Sequence, residues 1–225
     1  MSSAAGARRG RPATASRDDV RRAVRAQFLG GQRVDVTIIA RELGLGRATI
    51  YRWFGSRNRL LGDVIAAELE TLVRRARARV RQQGAIGLLE VFDLVNRSLA
   101  DAVPLRRFLE YEGAAGMRLL TASDGAVQTR SVACVAELIA SEVAAGRYSA
   151  PADPQTLAYA IVRLAEAFLY NDAAYGIRGD HVRLREVEAA LLGVLRAGRR
   201  VSAPAGPAIP RYAGSPSPGA RSDRG

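Results

Sequence analysis

The chain has 225 residues, 48% of them hydrophobic and 25% charged, enough apolar mass for a buried core or for two small helical domains. Its formal net charge is +12, all 34 basic residues are arginine, and a single cysteine, Cys134, excludes an internal disulfide framework. No run of 18 apolar residues suggests a membrane span and no apolar h-region suggests a signal peptide, so a soluble, cytoplasmic protein with no membrane partner is expected.

Residues 1–15 are rich in Gly, Ala and Arg without apolar periodicity and read as a flexible basic arm. A first helix starts at Ser16, with Asp19 three residues on as a capping box, and carries Val20, Ala23, Val24 and Phe28 at helical spacing until Gly30-Gly31 stops it. A short second helix runs from after Asp35 to Gly44 and a third covers about 47–53. The fourth starts after Ser56 and can run to about Gln83, with Leu60, Leu61, Val64, Leu69, Leu72 and Val73 as its apolar stripe. Beyond Gly84, helices are predicted at about 85–102, 104–118, 124–146, 155–174 and 181–198, with a proline-bearing loop over 146–154. Cys134, between Ala133 and Val135, reads as a small buried core residue. Residues 199–225 contain prolines 204, 207, 210, 216 and 218 and read as a disordered tail. No strand alternation is sustained, so the expected fold class is all-α with about nine helices. The expected domains are the arm 1–15, a DNA-binding domain 16–62, a helical body 63–198 and the tail 199–225.

Charge is distributed unevenly over these segments. Residues 1–83 carry a net +11, residues 84–198 a net −3 and the last 27 residues a net +4. A basic first third on a near-neutral body is the electrostatic footprint of a nucleic-acid reader with a separate second domain.

The segment DVTIIARELGLGRATIYRWFGSRNRLLGDVI, from Asp35, has the internal logic of a helix-turn-helix. Ile39, Ala40 and Leu43 form the inner face of one short helix, and Gly44 stands where the turn needs a residue tolerant of positive φ. Leu45 plugs the turn, and Ile50 and Phe54 give the next helix its inner face. Arg47, Ala48, Thr49, Tyr51 and Arg52 are left pointing outward, small and hydrogen-bonding groups for base edges flanked by Arg and Tyr for phosphates. The first turn of the fourth helix, Arg57-Asn58-Arg59, has no acidic residue before Asp63. Cations there oppose the helix dipole unless a phosphate docks on the same N-terminus.

The run IARELGLGRATIYRWFGSRNRLL resembles the DNA-binding domain of the TetR family of bacterial repressors, with Ile39, Ala40, Gly44, Thr49, Tyr51, Phe54, Ser56 and Leu60 at matching positions. The motif covers about residues 16–65, and helix count and chain length extend the likeness to about 198. Three positions depart from the family pattern. Gly46 replaces a capping Ser and so removes a hydroxyl, Trp53 replaces a common His, and Arg57 stands where a phosphate-contacting Lys is usual. The DNA contact set expected on double-stranded DNA is Thr37, Arg47, Ala48, Thr49, Tyr51, Arg52 and Arg57, together with Arg11, whose arm motif RRGRP resembles a minor-groove clamp or else is a basic tail that adds only non-specific affinity. The resemblance implies a homodimer on a pseudo-palindromic operator, the last two helices pairing through Leu157, Ile161, Leu164, Leu184, Leu191 and Leu195. Between the fourth and eighth helices it implies an effector cavity, for which Phe92, Val95, Phe108, Tyr111, Met117 and Phe168 are the candidate lining. The segment AEAFLYND is similar to the subgroup associated with quorum-signal-degrading lactonases, which implies a lactone or acyl-type effector.

The basic run RRARARVR, residues 74–81, reads as a solvated helix face far from DNA, or as the mouth of an effector site for an acidic ligand. Enzyme chemistry has little to work with. Cys134 and His181 are the only thiol and imidazole, paired Glu-x-x-His sites are missing, and neither G-x-S-x-G nor a phosphate-binding glycine loop occurs. No catalytic residue, metal site or cofactor is assigned. The rival to a ligand-responsive repressor is a helix-turn-helix protein of another type whose second domain is a dimerisation scaffold alone.

Overall fold

The computed structural model describes residues 15–170 and 180–194, all within the one compact unit that spans Met1–Leu195. Among these residues there are nine helices and no strand, as the periodicity predicts. The expected tail, the arm with Arg11, and Leu195 lie outside the described residues.

α1 (Arg17–Leu29) begins with the predicted capping box. Ser16 Oγ accepts from the Asp19 N–H at 3.2 Å, and the Asp19 carboxylate accepts from the Ser16 N–H at 2.7 Å. α2 (Val36–Glu42), α3 (Arg47–Phe54) and the 23-residue α4 (Arg57–Arg79) follow. Val20, Val24 and Phe28 of α1 meet Ile39, Ile50, Phe54, Leu60 and Leu61 in one core, which continues without a break into Leu105, Phe108, Leu120 and Val127. The domain boundary expected at 62/63 therefore falls inside a helix that serves both sides. α4 ends earlier than its composition allows, because Val80 turns extended and is buried.

α5 (Gly84–Ala100) starts on a glycine at φ 63°, where a Cβ would lie 2.4 Å from the Arg147 carbonyl oxygen, so the start of α5 docks directly on the backbone after α7. α6 (Val103–Thr121) is not the continuous helix predicted; it breaks at Gly113, whose φ 50° and ψ −129° are open to glycine alone. α7 (Ala126–Ala144), α8 (Pro154–Leu169) and α9 (His181–Leu191) complete the body, and α8 closes at Leu169 rather than near 174. A second core joins Ala76 of α4, Phe92 of α5, Val135 and Ile139 of α7, Leu157 and Ile161 of α8, and Ala189 of α9.

One buried carboxylate ties three helix ends together. Glu142 of α7 accepts from the Gly84 N–H at 2.8 Å, from Arg147 Nε at 2.8 Å and Nη2 at 3.0 Å, and from Arg77 Nη2 at 3.2 Å. The Arg147 hydrogen bonds above all hold its carboxyl down at about 2.

The residues expected at a dimer contact differ in their exposure within one copy. Leu157 and Ile161 are 4% and 2% exposed and Leu184 is fully buried, so these three pack within the protomer's own core and offer no surface to a partner. Leu164 and Leu191 are half-buried. No helix among the described residues is long and apolar enough to cross a membrane.

Candidate nucleic-acid interface and ligand cavity

The turn between α2 and α3 is built by local hydrogen bonds. Asp35 Oδ1 accepts from the N–H groups of Thr37 at 2.7 Å and Ile38 at 3.2 Å, which starts α2. At its far end Gly44 takes φ 63°, its N–H bonds to the Arg41 carbonyl at 3.2 Å and the Leu45 N–H to the Ala40 carbonyl at 2.8 Å. This pair of bonds is the Schellman closure, and Leu45 packs against the core beneath it. Gly46 caps α3 with no side-chain bond, so its substitution for serine costs a few tenths of a kcal/mol.

Ile50 and Phe54 bury the inner face of α3, at 1% and 9% exposure. Arg47, Ala48 and Arg52 are exposed on the outer face, Tyr51 is 42% exposed, Thr49 is half-buried, and Thr37 is exposed on the first turn of α2. Trp53 is half-buried, edge-to-face with Phe54 and 5.9 Å beneath the Arg17 guanidinium. Its role is packing between α1 and α3.

Arg57 differs from expectation. Its guanidinium fork is engaged by Glu112 of α6, at 2.7 Å from Nη2 and 3.2 Å from Nη1, and its Nε donates to the Val34 carbonyl at 3.0 Å. Arg33 Nε lies 3.5 Å from the same carboxylate. The phosphate grip read from sequence is thus occupied, because a bidentate carboxylate matches the arginine fork as well as a phosphate does. Asn58 and Arg59 remain exposed on the α4 first turn, where Ser56 Oγ caps the Arg59 N–H at 3.1 Å.

A cavity of about 80 Å³ lies among α4, α5, α6, α7, α8 and α9. Its walls are mostly apolar, with Val73, Phe92, Val95, Leu120 and Ile161 among them, and its polar groups include Asn96, Glu166 and Glu188. A second cavity of about 200 Å³, which includes Phe28, Ile65 and Arg75 in its lining, adjoins it through the shared residues Leu69, Leu99, Leu120 and Tyr170. Arg75 is the member of the basic run that reaches such a site; Arg74, Arg79 and Arg81 are exposed and Arg77 serves Glu142.

Of the six residues expected to line an effector site, Phe92 and Val95 border the first cavity. Phe108 is buried in the first core, edge-to-face on Phe28 with ring centres 6.1 Å apart. Tyr111 is 48% exposed, and the half-buried Met117 and Phe168 border neither cavity. Cys134 is half-buried at the cavity wall rather than in the core, and burial raises its thiol pKa. Sequence reasoning missed Asn96 and Glu188. The available signal was a charged residue on the i, i+4, i+8 line Leu184–Glu188–Leu192.

Residues 83–193 match the family model described as tetracyclin repressor-like, C-terminal domain. Among solved structures, the chain is similar to that of the R. erythropolis transcriptional repressor QsdR from the TetR family. The two are 30% identical with a TM-score of 0.72, over 82% of this chain and 100% of that one. No curated protein gives a match.

Proposed function

The chain belongs to the TetR family of transcriptional regulators, and on that premise we propose that it is a repressor released from its operator by a small, largely apolar effector. The observation that carries the reading is the outer face of α3. Arg47, Ala48, Tyr51 and Arg52 stand in solvent on a short helix whose inner face and entry turn are locked, the arrangement a recognition helix needs. In this reading residues 16–62 hold DNA and residues 63–198 sense the effector and dimerise. Thr37 and Thr49 join the contact set, and Arg11 reaches the minor groove. Two copies place their recognition helices about 34 Å apart on a pseudo-palindrome.

The cavity beside Phe92 and Val95 favours a sensor over a pure dimerisation scaffold. A thermal-shift screen against small metabolites separates the two, since a scaffold gains no melting temperature from any of them.

The DNA assignment is tested by first mapping the operator, starting with DNA flanking the gene. Tyr51→Ala and Arg52→Ala are then each expected to cost about 1–3 kcal/mol in operator binding, or about tenfold to a hundredfold, with the dimer mass unchanged. Full affinity in both variants would overturn it.

A further inference from the structure

The lining of the cavity includes a carboxylate with one oxygen unmet. Glu188 sits on α9 between Leu184 and Leu192, and none of its surface reaches solvent. Its Oε1 accepts from Asn96 Nδ2 of α5 at 2.9 Å. Its Oε2 is buried without a partner at the cavity wall. Tying α5 to α9 requires only the first of these oxygens, and a neutral glutamine at this position would tie them equally well. Burying a carboxylate is costly unless something answers its charge.

The remaining lining decides the sign of that answer. Glu70 and Glu166 also face the cavity, and among its described lining residues there is no arginine or histidine. The cations that serve these groups stand behind the wall. Arg130 takes both Glu70 oxygens at 2.7 Å, and Arg163 takes Glu166 Oε2 at 2.8 Å. Arg185 approaches Glu188 from the side of Asp93, whose Oδ2 is 3.5 Å from its Nε. A head group seated in this cavity therefore faces carboxylates and no lining cation, which disfavours an anion there. Burial, with Asp93 adding to it and Asn96 and Arg185 opposing, pushes the Glu188 carboxyl up to about 7, and burial raises Glu166 as well. A cation bound in the cavity favours the charged form of a lining carboxyl and restores the interaction that burial removes.

We infer that the effector is an amphiphilic amine, with an apolar body among Phe92, Val95 and Ile161 and a protonated amino head that donates to Glu188 Oε2. The inference rests on the ligand-responsive reading above and names the chemistry of that same site.

The full-length protein is titrated with four probes of similar apolar bulk, hexylamine, hexanol, hexanoate and γ-hexalactone. Heat of binding and release of operator DNA are both followed. Hexylamine is expected to bind at least about tenfold more tightly than hexanol, and hexanoate not at all. Glu188→Gln keeps the acceptor for Asn96, and it is expected to bring hexylamine down to the hexanol affinity while leaving hexanol within about twofold. Glu188→Asp, a second variant that retains the charge, is expected to lie between. Tighter binding of hexanol or the lactone than of hexylamine overturns the inference and leaves the ligand-responsive reading standing. So does a hexylamine affinity that neither variant changes. Binding of none of the four probes also overturns it, and the metabolite screen then judges the broader reading alone.

Discussion

Arg57 is contested between two partners. As the first residue of α4 it stands where the family motif expects a phosphate contact, yet its fork closes on Glu112, 55 residues away in sequence. Glu112→Gln removes the competing charge and frees the guanidinium for DNA. Affinity is expected to rise about three- to tenfold at low salt, equally for operator and unrelated duplex, with a salt slope steeper by about one. Fluorescence anisotropy over a salt series measures both quantities, and an unchanged slope would rule out Arg57 as a phosphate ligand. The motif at residues 35–64 carried the turn glycine, the inner face and the outer face of α3. It could not carry Glu112, because no local pattern records which side chain a distant helix will present.

At the scale of elements, helix starts were legible and helix relationships were not. Ser16, Asp35, Ser56, Asp153 and Asp180 each cap a helix by accepting an N–H two or three residues on, a contact written within one turn of chain. The break in α6 was missed because Glu112-Gly113-Ala114 sits inside an otherwise helical pattern and only packing selects the glycine conformation. The junction at Glu142 is likewise tertiary. The carboxyl falls from the ordinary 4.5 to about 2 on folding, so its contribution is fully present above pH 4.5 and is lost as pH falls toward 2. Glu142→Gln is expected to destabilise the protein at pH 7 by on the order of 3 kcal/mol. Urea melts at pH 7 and pH 3 test this, with the gap between variant and parent narrowing at the lower pH. An equal gap at both would show that packing, not charge, accounts for the loss.

At the scale of the whole molecule, any face open to the proposed second copy is limited by what one copy buries. With Leu157, Ile161 and Leu184 committed inward, the large hydrophobic side chains that remain exposed on α8 and α9 are Tyr159, Val182 and Val187, and Leu164 and Leu191 are half-buried. A dimer formed there is a self-complementary helix face, so one charge is introduced twice. Val187→Glu is expected to shift the protein to monomer at micromolar concentration by light scattering, and to weaken operator binding at least about a hundredfold, since each half-site is then held alone. A dimer that survives Val187→Glu and Tyr159→Glu together would place the interface elsewhere.

Sequence alone determined the all-α class, the helix caps, the turn at Gly44 and the exposed face of α3. Each depends on interactions within about five residues, where side-chain spacing and backbone hydrogen bonding suffice. Tertiary structure alone decided the partner of Arg57, the register by which α9 turns Glu188 inward to Asn96 across 92 residues, and which apolar side chains line the cavity. The reason is physical. A helical stripe defines an apolar face only to within about one residue, some 100° of rotation, and the choice among neighbouring faces belongs to the helices packed against it.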